Sequence, residues 1–285
     1  LGRRRSALLM TLFQDKLDAM VWSYSRVKSY FECPRMFYLT YLDEGDQLES
    51  AFAQWGSLCH ELLDRFARGE LLAFELSDEY DRLYPEKMTE RFPWNLWRDL
   101  DALYYDSGKA YFDSFEGFPE NWETVGSEIE IHVTIRGLEV RGFIDLLVRD
   151  RNDGRLIVVD HKSKSRFKSD QELELYGFQP YLYAEWVLQT YGEYPKELVF
   201  NLFRAGTRVT IPFTEEGKAK ALDWLEDTVR RIYEDEDFPD KVEVRCRERG
   251  EPIPEETTPD FFCQQLCGVR HRCARSGLCI DGGTM

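Results

Sequence analysis

The first part of the chain repeats its hydrophobic residues with a helical period. Ser23 or Ser25 offers an N-cap for a first helix, which Pro34 interrupts. Residues 54–68 carry apolar side chains every three to four positions, and His60 lies away from that apolar stripe. A second helix is therefore predicted there, with one histidine on its polar face.

A helical insertion is predicted next. Residues 71–116 are rich in aromatic side chains and keep a helical pattern. Pro85 and Pro93 should break it, because proline removes a helical hydrogen bond and clashes with the preceding turn. The sequence does not indicate what this insertion does.

From about residue 124 the period of the pattern changes to two. Residues 128–135 and 138–148 alternate on either side of an Arg136-Gly137 turn, which predicts a hairpin. Residues 156–159 form an unbroken apolar run, typical of a strand buried on both faces. The remaining predicted elements are a helix over residues 171–191, strands near residues 197–204 and 208–213, and a helix over residues 215–234. This order predicts an α/β fold with a mixed central sheet flanked by helices.

The chain length bounds the domain organisation. The 285 residues allow about two domains, or one α/β unit with insertions. We expect a disordered basic tail over residues 1–22 and a single domain over residues 23–280, with the insertion at 71–120 and a cysteine segment at 261–280. The longest apolar runs fall far short of a bilayer span, so a membrane-spanning role is excluded. The odd number of cysteines and their clustering near the C-terminal end suit a metal site in a reducing cytoplasm, so a cytoplasmic location is expected.

Charge is unevenly distributed along the chain. The net charge of −16 argues against a polyanionic partner unless metal ions or local basic islands do the binding. Two such islands are Lys164, Arg166 and Lys168, and Arg270, Arg272 and Arg275. Either island could bind a phosphate backbone while nearby aromatic residues stack on bases, and either could equally be a solvated loop.

Two carboxylates and a lysine lie on neighbouring predicted strands. The second strand carries Gly142-Phe143-Ile144-Asp145, and the third ends in Asp160-His161-Lys162. Such a set can hold a divalent cation beside an ammonium group, the arrangement that phosphodiester hydrolysis needs. The triplet alone also fits a strand-end ion pair, and Glu216-Gly217-Lys218 repeats its pattern at a helix start.

Four of the seven cysteines cluster near the C-terminal end of the sequence. They are Cys263, Cys267, Cys273 and Cys279. Thiolates at this spacing suit an iron–sulfur cluster or a zinc ion in a reducing compartment, with free thiols as the third option. Cys59 and Cys246 are expected to take no part.

The order of four motifs resembles that of a known nuclease family. The motifs are Gly56-x-x-x-His60, Gly142-Phe-Ile-Asp145, Asp160-x-Lys162 and Gln179-x-x-x-Tyr183. They are similar to the RecB-like branch of the PD-(D/E)XK nuclease superfamily, which includes AddB-type nuclease domains and the iron–sulfur exonucleases of CRISPR adaptation. The resemblance implies a restriction-endonuclease-like fold and a DNA exonuclease that uses Mg²⁺ or Mn²⁺ on ends or single strands. It also implies helicase, recombination or CRISPR proteins as partners, in repair or DNA processing.

The resemblance assigns roles to the central residues. Asp145, Asp160 and the backbone carbonyl of His161 would bind the metal. His60 would add a ligand, and Lys162 would be the catalytic lysine. Because a histidine nitrogen is softer than Mg²⁺ prefers, we expect Mn²⁺ to support activity at least as well as Mg²⁺.

Further roles follow from the same resemblance. Gln179 and Tyr183 lie four apart on one helix face and would contact DNA and brace the centre. Pro180 between them is harmless if the main helix begins near Gln179. Glu128 matches a glutamate of the family's first strand, although exposed strand carboxylates are common.

The resemblance also offers a use for the cysteines. Cys33, in a Cys-Pro-Arg segment, would hold a [4Fe–4S] cluster with Cys263, Cys267 and Cys273, and the cluster would join the N- and C-terminal segments. The gap between the first two late cysteines is one residue longer than usual, so Cys279 could replace Cys263.

Two functions compete with the exonuclease. One is a DNA-end-binding scaffold with an inactive site and a structural metal cluster. The other is an endonuclease held together by zinc.

Overall fold

A computed structural model describes residues 13–254 and 261–276. These fall into two compact units, which we call the central unit (residues 51–223) and the terminal unit (the described residues before 51 and from 224 onward). Among the described residues, no helix is long and apolar enough to cross a bilayer.

The helices follow the predicted order closely. They are α1 (Tyr24–Glu32), α2 (Pro34–Phe37), α3 (Ala51–Ala67), α4 (Leu76–Lys87), α5 (Leu100–Asp113), α6 (Asp170–Tyr191), α7 (Glu215–Glu234) and α8 (Lys241–Arg249). Ser23 caps α1 by accepting a hydrogen bond from the backbone N–H of Arg26, as predicted. The insertion helices α4 and α5 share with α3 an apolar core that includes Trp55, Tyr80 and Phe112.

The described residues form one five-stranded mixed sheet, and this confirms the α/β prediction. Its strands lie side by side in the order β1 (Trp122–Ile135), β2 (Leu138–Asp150), β3 (Leu156–Lys162), β4 (Glu197–Leu202) and β5 (Thr207–Pro212). Only β3 and β4 pair in parallel; the other three pairs are antiparallel. Helix α3 contacts β1 and β2, and α6 contacts β1 to β4, so helices flank the sheet.

Two details differ from the sequence predictions. Helix α6 begins at Asp170, close to the predicted start at residue 171, so Pro180 lies inside it and not in its first turn. Helix α4 ends at Lys87, two residues past Pro85, which confirms the predicted break there. Pro180 is buried among packed neighbours, and that packing compensates for the hydrogen bond that proline removes. The tail prediction for residues 1–22 is wrong over its second half, because residues 13–18 are helical and Trp22 is 2% exposed. Residues 1–12 lie outside the described residues.

Candidate active site

The antiparallel register of β2 and β3 brings two aspartates together. Leu146 pairs with Val159, so Asp145 and Asp160 lie across from each other one position further on and share a face of the sheet. Asp145 is also held in place because its Oδ2 accepts a hydrogen bond of 2.6 Å from the backbone N–H of His161. The two predicted carboxylates therefore converge.

A group with the right donors for a divalent cation lies beside this pair. His60, Glu128 and Asp145 each offer one ligand atom, and these three atoms lie within 4.8 Å of one another. Ligands on opposite sides of an ion with bonds of about 2.1 Å lie about 4.2 Å apart, so the spacing suits one ion of the Mg²⁺ or Mn²⁺ size. The carboxylate and imidazole donors fit the same ions.

Glu128 is the site residue that the sequence analysis left out of its metal ligands. It has a φ of 46°, rare for a residue other than glycine, and it follows an irregularity in the β1–β2 register between Thr124 and Gly126. Ser127 pairs with Leu146 and Ile129 with Ile144, so Glu128 lies across from Asp145, and its carboxylate lies close to both His60 and Asp145. Gly126 next to two β-branched residues was the only sequence signal of such a bulge.

Lys162 lies at the end of a chain of polar contacts. Its Nζ is 2.6 Å from Oδ2 of Asp160 and donates a hydrogen bond of 2.9 Å to Gln179 Oε1. Gln179 in turn donates through Nε2 to the hydroxyl of Tyr183, at 3.0 Å. The side chains that the sequence placed on one face of α6 thus hold the lysine ammonium beside the aspartate.

Gly142 makes room for this chain of contacts. A Cβ at this position would lie 2.4 Å from the Tyr183 ring, closer than real Cβ contacts allow. Gly56, the other glycine of the motifs, has no such constraint, because a Cβ there would meet only Ser163, at 3.8 Å. The packing of Tyr183 therefore requires glycine at position 142, whereas position 56 has room for a larger side chain.

Burial sets the electrostatics of the site. It raises the pKa of Asp145 and that of Asp160 to about 6 each, while the Lys162 charge opposes both shifts. Burial and the charge of Asp145 also raise the pKa of Glu128. Burial lowers the pKa of His60 and so favours the neutral ring that a metal ligand requires. Without a cation, the carboxylates repel one another at neutral pH.

The side chain of His161 is directed into the protein core. It is 2% exposed, its Nδ1 lies 3.0 Å from Asn201 Nδ2, and its ring stacks on Phe118. Burial lowers the pKa of this ring well below its usual value. Only the backbone of His161, the part named in the sequence analysis, is available to the site.

The first basic island is divided between two uses. Lys164 forms an ion pair of 2.8 Å with Glu172 and lies over the Tyr176 ring. Arg166 and Lys168 are exposed, and among the described residues neither side chain has an ion-pair partner. They line a cavity of about 400 Å³ with Phe167 and the start of α6. These two residues can therefore still meet a phosphate backbone.

The cysteines named as cluster ligands lie in the terminal unit. Cys33 and Cys267 are each 8% exposed, while Cys263 and Cys273 are half-buried. Burial raises the pKa of Cys267 to about 11, and the charges of Cys33 and Cys273 add to the shift. Three of the four thiols are thus near neighbours. Cys279 lies outside the described residues.

The second basic island has structural partners within the terminal unit. Arg270 donates to the backbone carbonyls of Cys267 and Glu49, and Arg272 pairs with Asp43. Arg275 forms an ion pair of 2.6 Å with Asp240. These contacts differ from the predicted phosphate groove, because each guanidinium already has protein acceptors.

Comparisons with known proteins agree with this geometry. A family model described as the PD-(D/E)XK nuclease superfamily matches residues 21–274. A search of curated proteins finds no match. The matched range includes every residue of the site described above and the cysteines at 33, 263, 267 and 273.

Proposed function

Because the chain belongs to the PD-(D/E)XK nuclease superfamily, we propose that it is a RecB-like DNA exonuclease that acts on ends or single strands. Such an enzyme would serve repair, recombination or DNA processing, alongside helicase or CRISPR proteins. The observation that carries the proposal is the convergence of Asp145 on β2 with Asp160 and Lys162 at the end of β3. These are the groups that metal-assisted phosphodiester hydrolysis uses.

The metal would be held by His60, Glu128 and Asp145, joined by Asp160 and the His161 carbonyl. When bound there, Mg²⁺ or Mn²⁺ would polarise a phosphoryl oxygen and acidify a water. The raised pKa values of both aspartates favour this site, because a cation relieves the repulsion between buried carboxylates. We expect Mn²⁺ to match or exceed Mg²⁺, since one donor is an imidazole.

Lys162 would act on the reacting groups themselves. Asp160 and Gln179 hold its ammonium in one position, so it can orient the attacking water or offset the negative charge that builds in the transition state. Tyr183 acts one step further away by fixing Gln179. Arg166 and Lys168 would bind the phosphate backbone, because both are exposed and neither forms an ion pair with a described residue.

The direct test uses a labelled linear single strand with Mn²⁺. The wild-type protein should shorten it and spare a closed circular strand. Lys162→Ala should lower the rate at least ~100-fold, the order expected for loss of one electrostatic stabiliser, while DNA binding in EDTA stays within a few-fold. Lys218→Ala is the matched control, since Lys218 ends the similar Glu216-Gly217-Lys218 triplet but lies in α7.

The outcomes separate the competing functions. Near-normal turnover by Lys162→Ala would remove that residue from the mechanism. Binding without shortening by the wild-type protein would favour the inactive scaffold, and cleavage of the circular strand would favour an endonuclease.

We further propose that Cys33, Cys263, Cys267 and Cys273 hold a [4Fe–4S] cluster. Backbone N–H groups lie at the sulfur atoms of Cys33 and Cys267, as suits thiolates. The charges of Cys33 and Cys273 act on the Cys267 thiol, so three of the four thiols lie near one another, as ligands of one cluster must.

Anaerobic purification with metal analysis tests this cluster. A brown protein with iron and labile sulfide is expected, and Cys267→Ser should lose both. Cys59→Ser is the control, because Cys59 is fully buried within α3. Colourless protein with stoichiometric zinc would overturn the assignment.

A further inference from the structure

The most exposed large side chains of the central unit lie between α4 and α5. Trp94 and Trp97 are 83% and 85% exposed, and Leu96 between them is 66% exposed. We call residues 91–98 the tryptophan loop. A pair of indoles so fully in water is unusual, because burying an aromatic side chain is strongly favourable. Such exposed aromatic residues commonly mark a binding surface.

The base of the loop is firmly held. Gln54 in α3 accepts hydrogen bonds of 3.0 and 2.9 Å from the backbone N–H groups of Thr89 and Glu90. Phe92 is 5% exposed and stacks on Tyr104, with ring centroids 4.5 Å apart. The two indoles therefore project from an anchored segment, so less conformational freedom is lost when a ligand stacks on them.

The charge of the loop selects the kind of partner. Arg91 and Arg98 flank the indoles, both are exposed, and neither has an ion-pair partner among the described residues. The eight residues contain no acid, although the whole chain has a net charge of −16. Asp99, the next residue, is engaged as the N-cap of α5. Exposed aromatic rings beside unpaired arginines fit a ligand that offers both flat bases and phosphates.

Helix α3 contributes one residue that anchors this loop and one residue of the candidate site. Gln54, which anchors the loop, and His60, which faces the aspartates, are six residues apart in α3. At 1.5 Å per residue they are separated by about 9 Å along the helix axis. The anchor of the loop and a residue of the metal group are thus separated along one helix by roughly the rise of three stacked nucleotides.

We propose that the tryptophan loop is a stacking subsite for unpaired bases, in which Trp94 and Trp97 stack on bases and Arg91 and Arg98 contact phosphates. The subsite binds single-stranded DNA on the same unit that carries the metal group. The inference rests on the proposed nuclease function and adds to it a preference for unpaired over paired strands, because bases inside a duplex do not offer their faces.

The test measures binding of a fluorescein-labelled 12-nucleotide oligo(dT) in EDTA, which prevents cleavage. Trp94→Ala and Trp97→Ala should each weaken binding about tenfold, and the double variant should weaken it further. Trp→Phe at either position should restore most of the affinity, whereas Trp→Leu should not, because leucine is apolar but cannot stack. Phe74→Ala is the matched control, since Phe74 is 76% exposed in a neighbouring segment.

A second probe removes the bases instead of the indoles. An abasic strand of the same length should bind weakly and equally to the wild-type protein and to the double variant. Both proteins should bind a blunt duplex with similar affinity. Circular dichroism and the thermal midpoint should match the wild type in every variant, because the substituted side chains are exposed.

Several results would overturn the subsite. Unchanged oligo(dT) affinity of the double variant would do so, as would full binding by the leucine variants. Loss of a dimer in sedimentation, or loss of binding to phosphatidylserine vesicles, with unchanged oligo(dT) affinity would assign the loop to a second copy or to a lipid surface.

Mn²⁺-dependent shortening of the same strand shows whether the stacking subsite alone is wrong or the proposed nuclease function is wrong as well. If the wild-type protein shortens the strand and the variants keep its KM, only the subsite is wrong. If the subsite is right, the variants raise KM and leave kcat nearly unchanged. If the wild-type protein neither binds nor shortens DNA, both proposals fail.

Discussion

The candidate active site and the cysteine segment use charge in opposite ways. In the site, the strand register brings Asp145, Asp160 and Glu128 together, and burial raises the pKa of each. In the cysteine segment, Arg272 and Arg275 are neutralised by Asp43 and Asp240. The first arrangement leaves unfavourable repulsion that a bound cation can relieve, while the second is satisfied within the protein. Lys162 offsets only part of the charge of the buried carboxylates, so the site is where cation binding is expected, whereas the paired arginines mark structural contacts.

The largest effect is expected from Gly142→Ala, which disturbs the site without changing a charge. The added Cβ forces the Tyr183 ring to move, and Gln179 and Lys162 move with it. A displacement of about 1 Å can cost about 100-fold in rate. Steady-state cleavage of a labelled strand measures the loss. Gly56→Ala should stay within a few-fold of the wild type, and equal losses in both variants would refute the distinction between the two glycines.

Glu128→Gln should have the next largest effect. It keeps the shape of the side chain and removes its charge from the metal group, so we expect at least a ~10-fold rise in the Mn²⁺ concentration needed for half-maximal cleavage. Glu130→Gln is the matched control, because Glu130 lies on the same strand in a surface ion pair with Arg141. A variant with unchanged Mn²⁺ dependence would show that Glu128 is not a ligand.

Metal should stabilise the protein in a pH-dependent manner. Because the pKa values of Asp145 and Asp160 rise on folding from 3.8 to about 6, the ionised carboxylates destabilise the metal-free fold as the pH rises from about 4 through 6. Mn²⁺ at ~100 times its Kd adds about 2.7 kcal/mol, or roughly 5–10 °C in Tm. Thermal melts should show this gain at pH 7.5 and a smaller one at pH 5. An equal gain in Tm at pH 7.5 and at pH 5 would contradict the raised pKa values of Asp145 and Asp160.

The smallest effects should distinguish the two basic islands. Arg166→Ala should weaken DNA binding a few-fold and reduce the salt dependence by about one counterion, because an unpaired arginine contacts a phosphate. Arg272→Ala should leave that dependence unchanged and destabilise the protein by about 1–3 kcal/mol, since it removes a partly buried ion pair and a bond to the Leu39 carbonyl. Binding titrations at several salt concentrations and chemical denaturation measure both. A loss of salt dependence in Arg272→Ala with a loss of stability in Arg166→Ala would show that the DNA-binding and structural roles of the two islands are the reverse.

Local patterns allowed much of the fold to be predicted. The alternation of apolar residues and the Arg136-Gly137 turn predicted the hairpin, and both turn residues have positive φ, as a tight hairpin requires. The unbroken apolar run at residues 156–159 predicted β3, and the Asp160-x-Lys162 triplet was placed correctly at the end of that strand. These features depend on neighbours in sequence, which a pattern can show.

Features that depend on distant partners could not be predicted in this way. The approach of Glu128 to His60 depends on the register of β1 against β2 and on the packing of α3 against both strands, which local sequence does not show. The continuity of α6 through Pro180 depends on tertiary packing, which outweighs the local preference of proline. The ion pair of Arg272 could not be predicted, because its acceptor, Asp43, lies more than 200 positions away in the sequence.

The parallel pairing of β3 with β4 has a consequence for how this site is assembled. Two adjacent strands that run the same way cannot be joined by a tight turn, so the chain must travel back along the sheet between them. Here the returning segment is α6, and its side chains steady the lysine at the end of β3. A chain cut between residues 163 and 169 would therefore separate the reacting groups from their support, and activity should return only when the two fragments reassociate.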